Sequence, residues 1–472
     1  MFVKRFFEPS IAQTSYLIGC AAAGEAIVID ANRDVEQYIR AAAAENLAIT
    51  HVTETHIHAD FVSGSRELAA RTGATLHLSD EGDADWKYQF AEEGRLIRSG
   101  DRIQVGKVTI EALHTPGHTP EHLTFLITDG AVADEPIAAA TGDFIFVGDV
   151  GRPDLLERAA KVMGTMEASA HTLYRSLDAF KHREDWLQIW PGHGAGSACG
   201  KGISAVPHST LGYERRFNWA FRAKDEDDFV RSVLAGQPDP PTYFATMKRV
   251  NKQGPAALGG RTVPARLDDH VLPELIAAGA LVVDTRPATE YAAGFVPGTI
   301  NIPLNSAFVS WAGWFVPAGG DVYLLFGDGA EIRLPEAVRG LSLIGVDVVA
   351  GWLGASAITR WAQSHAALGQ VRQVAPAEAA RLVRDGAVLV DVRSPAEWAE
   401  GHIPAARHIP LGALPERMAE LPRDAQVVVQ CQAGARSAIG ASLLERAGFT
   451  DVLNLTGGLD AWTAQSLPLT SE

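Results

Sequence analysis

The sequence contains little cysteine. Its 472 residues include three, Cys20, Cys199 and Cys431, which are odd in number and far apart. Such a set predicts no disulfide framework and is typical of proteins from a reducing compartment. We therefore expect a cytoplasmic protein whose thiols are available for chemistry.

Long apolar runs and positive charge are also scarce. No stretch approaches the ~18 apolar residues of a membrane span, and residues 1–9 reach an acid and a proline too early for a secretory signal. Lys and Arg number 41 against 57 Asp and Glu, which gives a formal net charge of −16. These deficits argue against membrane insertion and against nonspecific nucleic-acid binding.

The length and composition predict a globular protein of several domains. At roughly 150 residues per domain, 472 residues correspond to about three domains. A Gly- and Pro-rich stretch at 236–241 marks the first boundary. We expect domains at residues 1–235, 263–368 and 369–472, with a linker at 236–262.

The second half of the chain contains an internal duplication. Residues 283–287, 290–298 and 301–304 each recur 107 positions later, so that position 283 corresponds to position 390. Apolar strands alternate with helical segments in both copies. We therefore expect two α/β domains built on parallel sheets.

Polar residues follow four apolar segments of the first domain. Residues 49–53, 108–113, 136–140 and 186–190 are predicted strands. The polar residues that follow them are His56, His58, Asp60, His118, Asp143 and His193. Because loops at strand ends can converge, and because imidazole and carboxylate donors suit zinc, iron or manganese, this pattern predicts a metal site.

The order of these residues resembles the metallo-β-lactamase superfamily, whose loop reads His-x-His-x-Asp-His and is followed by His, Asp and His. The resemblance covers roughly the first 230 residues and implies an αββα sandwich with the metal at one edge. Phe61 stands at the third histidine and cannot bind a metal. A second metal would keep only Asp60, His193 and the shared Asp143, which disfavours a two-metal hydrolase.

With a site for a single metal, the chain resembles the persulfide dioxygenases of this superfamily. The resemblance implies one Fe(II) in the metal domain, with zinc less expected, held by His56, His118 and Asp143. Two imidazoles and one carboxylate leave coordination positions open, as in non-heme iron oxygenases. The residues left to orient these ligands or to bind water are His58, Asp60 and His193.

Other residues near this site have roles that stay open. Arg152 and Asp154 belong to a Gly-Arg-x-Asp sequence that the same family shows after its aspartate ligand. Arg152 either binds a substrate anion or braces the loop through Asp154. Cys199 lies in a loop of small residues, and it is either a thiol that holds or relays sulfur, with a pKa lowered by Lys201, or a small buried apolar residue. Cys20, on the opening hairpin, is expected in the core.

A second active site is predicted towards the C-terminal end. The apolar strand 427–430 leads to Cys431, a loop of small residues and a helical segment. Backbone N–H groups, the helix dipole and Arg436 then favour a thiolate or a bound anion. With the flanking residues 390–393 and 457–462, this pattern resembles rhodanese, which implies that Cys431 carries sulfane sulfur as a persulfide.

The first copy of the duplication lacks these groups. Phe326 stands at the cysteine position and Glu331 at the arginine position. An apolar residue cannot act as the nucleophile, and an acid opposes anions. We expect no sulfur transfer there, and a scaffold or dimerisation role instead.

The whole order of segments resembles bacterial persulfide dioxygenase–sulfurtransferase fusions. The resemblance implies a small thiol persulfide, dioxygen and sulfite as partners, with thiosulfate as a product, and a homo-oligomer is expected. Two other hypotheses stay open, a zinc thioester hydrolase of the glyoxalase II kind and a non-oxidative sulfur carrier.

Overall fold

The computed structural model of the chain describes residues 1–155, 157, 164–237, 239–260, 263–364 and 367–471. The chain forms two compact units, Met1–Arg261 with Ser342–Gly345 and Thr262–Leu341 with Val346–Glu472. Among the helices described, none combines the length and the apolar character needed to cross a bilayer. The predicted boundary after residue 262 lies outside the described residues.

The first unit contains two six-stranded sheets. The strands of the first sheet, in spatial order, are β1 (Phe2–Glu8), β2 (Gln13–Cys20), β3 (Glu25–Ile29), β4 (Ala48–Thr53), β5 (Thr75–Ser79) and β6 (Arg95–Ile97). The strands of the second sheet, in reverse spatial order, are β7 (Arg102–Val105), β8 (Val108–His114), β9 (Leu123–Asp129), β10 (Ala138–Gly142), β11 (Gln188–Pro191) and β12 (Ser209–Thr210). Both sheets combine antiparallel and parallel pairs.

The described helices of the first unit are α1 (Glu36–Ala44), α2 (Ser65–Thr72), α3 (Met166–Phe180), α4 (Leu211–Phe217), α5 (Glu226–Leu234) and α6 (Phe244–Gln253). Alternate side chains of β2 enter different layers, as the period of a strand requires. Leu17 belongs to an apolar cluster with Tyr38 of α1, whereas Ile18 belongs to a cluster with Phe125 of β9. Leu173 of α3 belongs to a third cluster, on the other face of the second sheet. The order helix, sheet, sheet, helix confirms the predicted αββα sandwich.

Within the segment 236–262, expected to be a linker, the described residues 239–260 contain helix α6 and belong to the first unit. Phe244, Met247 and Asn251 of this helix are buried. Residues three and four positions apart share one helical face, so α6 buries one stripe of side chains. The Gly- and Pro-rich stretch before it therefore interrupts the unit without ending it.

The second unit contains two sheets in which every recorded pair of strands is parallel. The strands of the four-stranded sheet are β13 (Leu281–Asp284), β14 (Ile300–Asn301), β15 (Val322–Leu325) and β16 (Val349–Leu353), in the spatial order β14-β13-β15-β16. The strands of the five-stranded sheet are β17 (Arg372–Val374), β18 (Val388–Asp391), β19 (Arg407–His408), β20 (Val427–Gln430) and β21 (Val452–Leu455), in the spatial order β17-β21-β20-β18-β19. The remaining helices along the chain are α7 (Leu272–Ala277), α8 (Ala288–Ala293), α9 (Phe308–Phe315), α10 (Leu334–Leu343), α11 (Ala355–Ser364), α12 (Pro376–Arg384), α13 (Pro395–Glu400), α14 (Leu414–Arg417), α15 (Ala435–Arg446) and α16 (Gly458–Ala464).

The two sheets repeat one arrangement, as the duplication predicts. The order β14-β13-β15-β16 corresponds to β19-β18-β20-β21, with β17 added at the edge of the second copy. The repeated Asp-x-Arg motif forms a buried ion pair in each copy, 2.6 Å between Asp284 and Arg286 and 2.8 Å between Asp391 and Arg393. The prediction of parallel α/β sheets is confirmed, while the predicted boundary between residues 368 and 369 stays a prediction.

Candidate metal centre and thiol site

Strands β4, β8, β10 and β11 of the first unit lead into one cluster of polar side chains. His56, His118 and Asp143 each offer a ligand atom, and these atoms lie within 4.8 Å of one another. All three residues are buried. The structure thus brings together the three residues that the sequence predicted as metal ligands.

The geometry of this cluster fits a bound cation. Nε2 of His118 lies 3.5 Å from Oδ2 of Asp143, and two atoms bound to one ion at about 2.0–2.2 Å lie roughly 3–3.6 Å apart. Neither oxygen of Asp143 accepts a hydrogen bond from a nitrogen or oxygen donor in the described parts of the chain, although the residue is completely buried. A buried carboxylate without such partners is unfavourable, and a cation would compensate its charge.

Hydrogen bonds behind the rings orient both histidines. Oγ1 of Thr55 donates to Asp30 at 3.0 Å, so it accepts the Nδ1 proton of His56 at 2.9 Å. Nδ1 of His118 donates to the carbonyl oxygen of Arg152 at 3.0 Å. Each ring therefore turns the lone pair of Nε2 towards the cluster, as metal-binding histidines commonly do.

Asp30 also holds His58, which was predicted to support the metal ligands. Oδ1 of Asp30 accepts from the backbone N–H of Thr55 at 2.7 Å and lies 3.1 Å from Nε2 of His58. Burial lowers the pKa of His58, but the Asp30 carboxylate outweighs burial and raises that pKa to about 9. The ring of Phe61 packs against His58 with centroids 4.4 Å apart. His58 is therefore an ion-paired brace of the loop in this structure.

Two further residues beside the cluster were missed in the sequence. Nε2 of His122 accepts the backbone N–H of Asp143 at 3.2 Å, and burial lowers the pKa of His122 well below its usual value, so the ring is neutral. Oε1 of Glu121 accepts the backbone N–H of Ile57 at 2.8 Å, and burial raises the pKa of this carboxyl to about 7. Their signal in the sequence is a polar pair directly before the apolar strand β9.

Asn251 of helix α6 is a third missed residue. Its Nδ2 donates to the carbonyl oxygens of His58 and Phe61 at 2.8 and 2.7 Å. Its Oδ1 accepts the backbone N–H of Ser63 at 2.9 Å. One buried amide thus closes the end of the loop that carries His56.

A second cluster lies beside the first. Asp60, His193 and Cys199 each offer a ligand atom within 4.8 Å of the others, and all three are buried. Nε2 of His193 lies 3.3 Å from Oδ2 of Asp60 and 3.3 Å from Oδ1 of Asp143. Nδ1 of His193 is 3.1 Å from the carbonyl oxygen of Ala12 and donates to it.

The surroundings of Cys199 differ from the expectation. Burial and the carboxylates of Asp143 and Asp60 raise the pKa of the Cys199 thiol well above its usual value. Lys201 does not lower it, because the Lys201 ammonium donates to the carbonyl oxygen of Ala235 at 3.0 Å. The positions of Asp60 and His193 beside this thiol could not be read from the sequence.

Arg152 and Asp154 form an internal brace. The guanidinium group of Arg152 binds both carboxylate oxygens of Asp154, at 2.8 and 2.7 Å, and donates to the carbonyl oxygen of Ala198 at 3.0 Å. Both residues are completely buried. The geometry fits the alternative in which Arg152 braces the loop through Asp154. It does not fit the predicted role of the pair in substrate binding, because the donors of Arg152 bond to groups of the protein itself.

The predicted thiol site of the second unit lies at the end of β20. Cys431 is buried, and its sulfur accepts the backbone N–H of Gly434 at 3.1 Å. The hydroxyl of Ser437 lies 3.5 Å from the same sulfur, and α15 begins directly after Gly434. The N–H of Gly434 and the N-terminus of α15 thus face the sulfur, an arrangement that suits the binding of an anion.

Arg436 does not point a free guanidinium group at this sulfur. It forms two hydrogen bonds with Glu397, at 2.7 and 2.6 Å. Burial raises the pKa of Glu397, but the bonds from Arg436 and Ser394 outweigh burial and lower that pKa to about 2. The arginine predicted to favour anions is therefore neutralised by a partner.

The first copy differs at the corresponding positions. Phe326 follows β15 as Cys431 follows β20, and its side chain is completely buried. Glu331 lies in a short helical turn and is exposed. A buried benzyl group thus occupies the place of the thiol.

Family comparisons agree with this division of the chain. The model described as metallo-beta-lactamase superfamily matches residues 11–193, and the model described as rhodanese-like domain matches residues 375–465. The rhodanese match covers the copy that contains Cys431.

Curated relatives fall into several enzyme classes. A probable metallo-hydrolase of Burkholderia pseudomallei is 32% identical over 53% of this chain and 92% of its own length. A sulfurtransferase of Allochromatium vinosum is 46% identical over 17% of this chain and 77% of its own length. A mitochondrial persulfide dioxygenase of Bos taurus is 29% identical over 38% of this chain and 61% of its own length. Hydroxyacylglutathione hydrolases are also among the relatives.

A solved structure extends the similarity beyond the first unit. A crystal structure described as a metallo-beta-lactamase from Staphylococcus aureus is 40% identical, with a TM-score of 0.67. The match covers 75% of this chain and 98% of that chain. Since 75% of the chain exceeds the first unit, the match reaches into the second.

Proposed function

Because the chain belongs to the metallo-β-lactamase superfamily and carries a C-terminal rhodanese-like domain, we propose that it is an Fe(II)-dependent persulfide dioxygenase coupled to a sulfurtransferase. The first unit oxidises the outer sulfur of a small thiol persulfide to sulfite. The second unit transfers sulfane sulfur from Cys431 to sulfite and releases thiosulfate. The observation that carries the proposal is the buried cluster of His56, His118 and Asp143, in one chain with a cysteine at a strand–loop–helix junction.

His56, His118 and Asp143 would hold the iron, which would supply redox chemistry with dioxygen when bound. The overall reaction balances as R–S–SH + O₂ + H₂O → R–SH + SO₃²⁻ + 2 H⁺. The bovine relative is named a persulfide dioxygenase, and a reaction that consumes dioxygen suits a redox-active ion such as iron better than zinc. The donor set supports it too, since two imidazoles and one carboxylate leave room for two further ligands.

The other residues of the cluster have positioning roles in this proposal. Thr55 and the carbonyl oxygen of Arg152 fix the proton of each histidine on Nδ1. Asp30 holds the ligand loop through His58 and the backbone of Thr55. These bonds fix the ring orientations before any substrate binds, which lowers the cost of assembling the site.

The rhodanese step needs only thiol chemistry. The Cys431 thiolate attacks the outer sulfur of a persulfide, a new S–S bond forms, and the donor leaves as its thiolate. Sulfite then attacks that outer sulfur, the bond to Cys431 breaks, and thiosulfate leaves. The N–H of Gly434, 3.1 Å from the sulfur, stabilises the Cys431 thiolate that is released.

A thioester hydrolase is the second candidate function. The metallo-hydrolase and hydroxyacylglutathione hydrolase relatives favour it, and two histidines with a carboxylate also suit catalytic zinc. In that case the bound ion would activate water. Phe61 removes one ligand of the usual two-metal version, which is why we place this candidate second.

Two matched variants test the proposed division of labour. His118→Ala should lower oxygen uptake with glutathione persulfide by at least about 100-fold, because it removes a ligand, and should leave sulfur transfer from Cys431 unchanged. Cys431→Ser should leave oxygen uptake intact and replace thiosulfate by accumulating sulfite. The exposed His182→Ala and the hairpin variant Cys20→Ser serve as controls. Loss of both activities in either test variant would contradict separate sites.

A further inference from the structure

We propose that the segment Ser342–Gly345 is a positioning element of the candidate metal centre. This segment lies in the first copy of the duplication, yet it belongs to the first unit, as the metal cluster does. It would hold the metal loop, residues 54–64 between β4 and α2, in the shape that the ligand His56 needs. The inference goes beyond the proposed function, because it gives the first copy a role that either candidate reaction would use.

The segment is bonded to the metal loop through the backbone. The carbonyl oxygen of Leu343 accepts the backbone N–H of Val62 at 2.7 Å. Both residues are almost completely buried. A buried N–H group needs an acceptor, and Val62 finds its acceptor in a residue far along the chain. The hydrogen bonding of the metal loop is therefore complete only when this segment is in place.

Gly345 fits closely against the same loop. Its backbone lies in the left-handed region, with a φ of +78°. A Cβ added at this position would lie 2.8 Å from Cε of Met247 and 3.4 Å from Cγ2 of Val62. Met247 belongs to helix α6 and is completely buried. Glycine is thus needed both for the backbone conformation and for the space, and the segment packs against α6 as well as against the loop.

Helix α6 and the segment restrain three consecutive residues of the metal loop. Asn251 of α6 donates to the carbonyl oxygen of Phe61 and accepts the backbone N–H of Ser63. Leu343 accepts the backbone N–H of Val62, which lies between them. A loop that is fixed in this way before a metal binds loses less conformational freedom on binding. The segment should therefore contribute to metal affinity without supplying a ligand.

The restrained part of the loop is connected by contacts to the ligand His56. The ring of Phe61 packs against His58 with centroids 4.4 Å apart, and Nε2 of His58 lies 3.1 Å from Oδ1 of Asp30. Asp30 also accepts the hydroxyl of Thr55 at 3.0 Å, and the same hydroxyl orients the ring of His56. A shift of the loop at Phe61 would therefore disturb the contacts that orient a metal ligand.

Gly345→Ala in the full-length protein tests this role, with Gly329→Ala as the matched control. Both glycines lie in the first copy at similar positive φ, +78° and +67°, so the two variants carry similar backbone strain. A Cβ at Gly329 would meet no atom within 4 Å in the described part of the chain. Cobalt(II) affinity, measured by competition with a chromophoric chelator, should fall by about tenfold or more in Gly345→Ala. It should stay unchanged in Gly329→Ala.

Two further measurements separate positioning from a general loss of stability. The visible absorption bands of bound cobalt(II) depend on the arrangement of its ligands, so they should shift in Gly345→Ala and not in Gly329→Ala. Met247→Leu replaces the side chain nearest to the added methyl group by a shorter one. Combined with Gly345→Ala, it should restore most of the lost affinity, because it makes room at the contact.

Several results would overturn the proposal. Unchanged affinity in Gly345→Ala, an equal loss in Gly329→Ala, or a double variant as weak as Gly345→Ala would show that this contact does not support metal binding. Cobalt bands that stay unshifted would assign the segment to stability alone. If Gly345→Ala does not fold, Met247→Ala opens a gap at the same contact and should also lower the affinity. Unchanged affinity in that variant would overturn the proposal as well.

The same samples separate this proposal from the proposed function, because cobalt affinity does not depend on the reaction. Weaker binding and shifted bands in Gly345→Ala, with no oxygen uptake by the iron-loaded unaltered protein, would reject the dioxygenase and leave the positioning role intact. Oxygen uptake by the unaltered protein, with equal cobalt affinity in both glycine variants, would reject the positioning role and leave the dioxygenase intact.

Discussion

The two histidines of the candidate metal centre, His56 and His118, owe their orientation to acceptors that lie behind the rings. Thr55 behind His56 and the carbonyl oxygen of Arg152 behind His118 place each proton on Nδ1. An imidazole with a fixed tautomer binds a metal without first paying for reorientation, so these contacts should affect metal affinity directly.

Thr55→Val keeps the shape of the side chain and removes the hydroxyl group. Metal affinity, measured by competition with a chromophoric chelator, should fall by about 10- to 100-fold, the usual effect of losing an outer-shell partner. Thr50→Val on β4 is the matched control, because its hydroxyl donates to the carbonyl oxygen of Ala26 at 3.3 Å, outside the metal cluster. An unchanged affinity in Thr55→Val would show that the hydroxyl does not orient His56.

Glu397 holds Arg436 away from the anion-binding role that the sequence suggested. Glu397→Gln should free the guanidinium group to meet anionic sulfur compounds beside Cys431, and the KM for thiosulfate as sulfur donor should fall by about three- to tenfold, or roughly 1 kcal/mol. The pKa of Glu397 is about 2, below its unfolded value of about 4.3. The ion pair is therefore fully formed above about pH 5 and is lost only as the pH falls towards 2.

The ratio of the KM for thiosulfate in Glu397→Gln to that in the unaltered protein should therefore stay constant between about pH 5 and pH 8. Steady-state rates of sulfur transfer from thiosulfate to cyanide, measured across this pH range, give the KM of each protein. A KM that rises in Glu397→Gln would mean that the ion pair itself shapes the loop for anions.

At the scale of elements, helix α6 connects a segment far along the chain to the metal loop. Asn251 bonds the backbone of His58, Phe61 and Ser63. Asn251→Ala should lower metal affinity by about 10- to 100-fold, and Asn251→Asp should lower it also, because it loses the N–H donors. The exposed Gln253→Ala on the same helix is the control. If all three variants bind the metal with equal affinity, helix α6 does not support the metal site.

The sequence predicted elements better than it predicted contacts between them. The strands that precede His56, His118, Asp143 and His193 are local patterns, and they form close to the expected bounds. Asn251 lies in a segment whose glycines and prolines indicated a linker, and its bond to the carbonyl oxygen of Phe61 spans 190 positions of the chain. Such contacts depend on tertiary packing, which no local pattern encodes.

The same limit applies to the thiol near the metal. The sequence left open whether Cys199 is functional, because its neighbours in sequence are small residues. Its neighbours in space are Asp60 and His193, and only the folded chain shows this. For Arg152, the sequence allowed either the binding of a substrate anion or the bracing of the loop through Asp154. The bidentate contact between Arg152 and Asp154 in the structure distinguishes the two.

At the scale of the whole molecule, the proposed function assigns one chemistry to each of the two units, and the two chemistries need no common residue. The metal cluster lies in the first unit, and Cys431 lies in the second. Removing the metal with a chelator should therefore abolish oxygen uptake while sulfur transfer from Cys431 keeps its rate. The measurement follows thiosulfate-dependent transfer and oxygen uptake on one sample before and after chelation. A transfer rate that falls together with oxygen uptake would contradict independent sites.

The duplication determined much of the second unit in advance. Two copies of a parallel α/β fold, one with Cys431 and one with Phe326, follow from the repeated motifs and are present in the structure. The motifs of the first copy do not predict its role. A buried phenylalanine at the cysteine position excludes sulfur transfer there and indicates no other activity.

The central claim is that one redox-capable ion at His56, His118 and Asp143 drives persulfide oxidation. Its most direct test is oxygen uptake with glutathione persulfide by anaerobically purified protein, measured against the metal content of each sample. The account predicts uptake in proportion to bound iron, with sulfite as the product and no uptake by the zinc form. Thioester cleavage by the zinc form, with no oxygen uptake at any iron content, would contradict it.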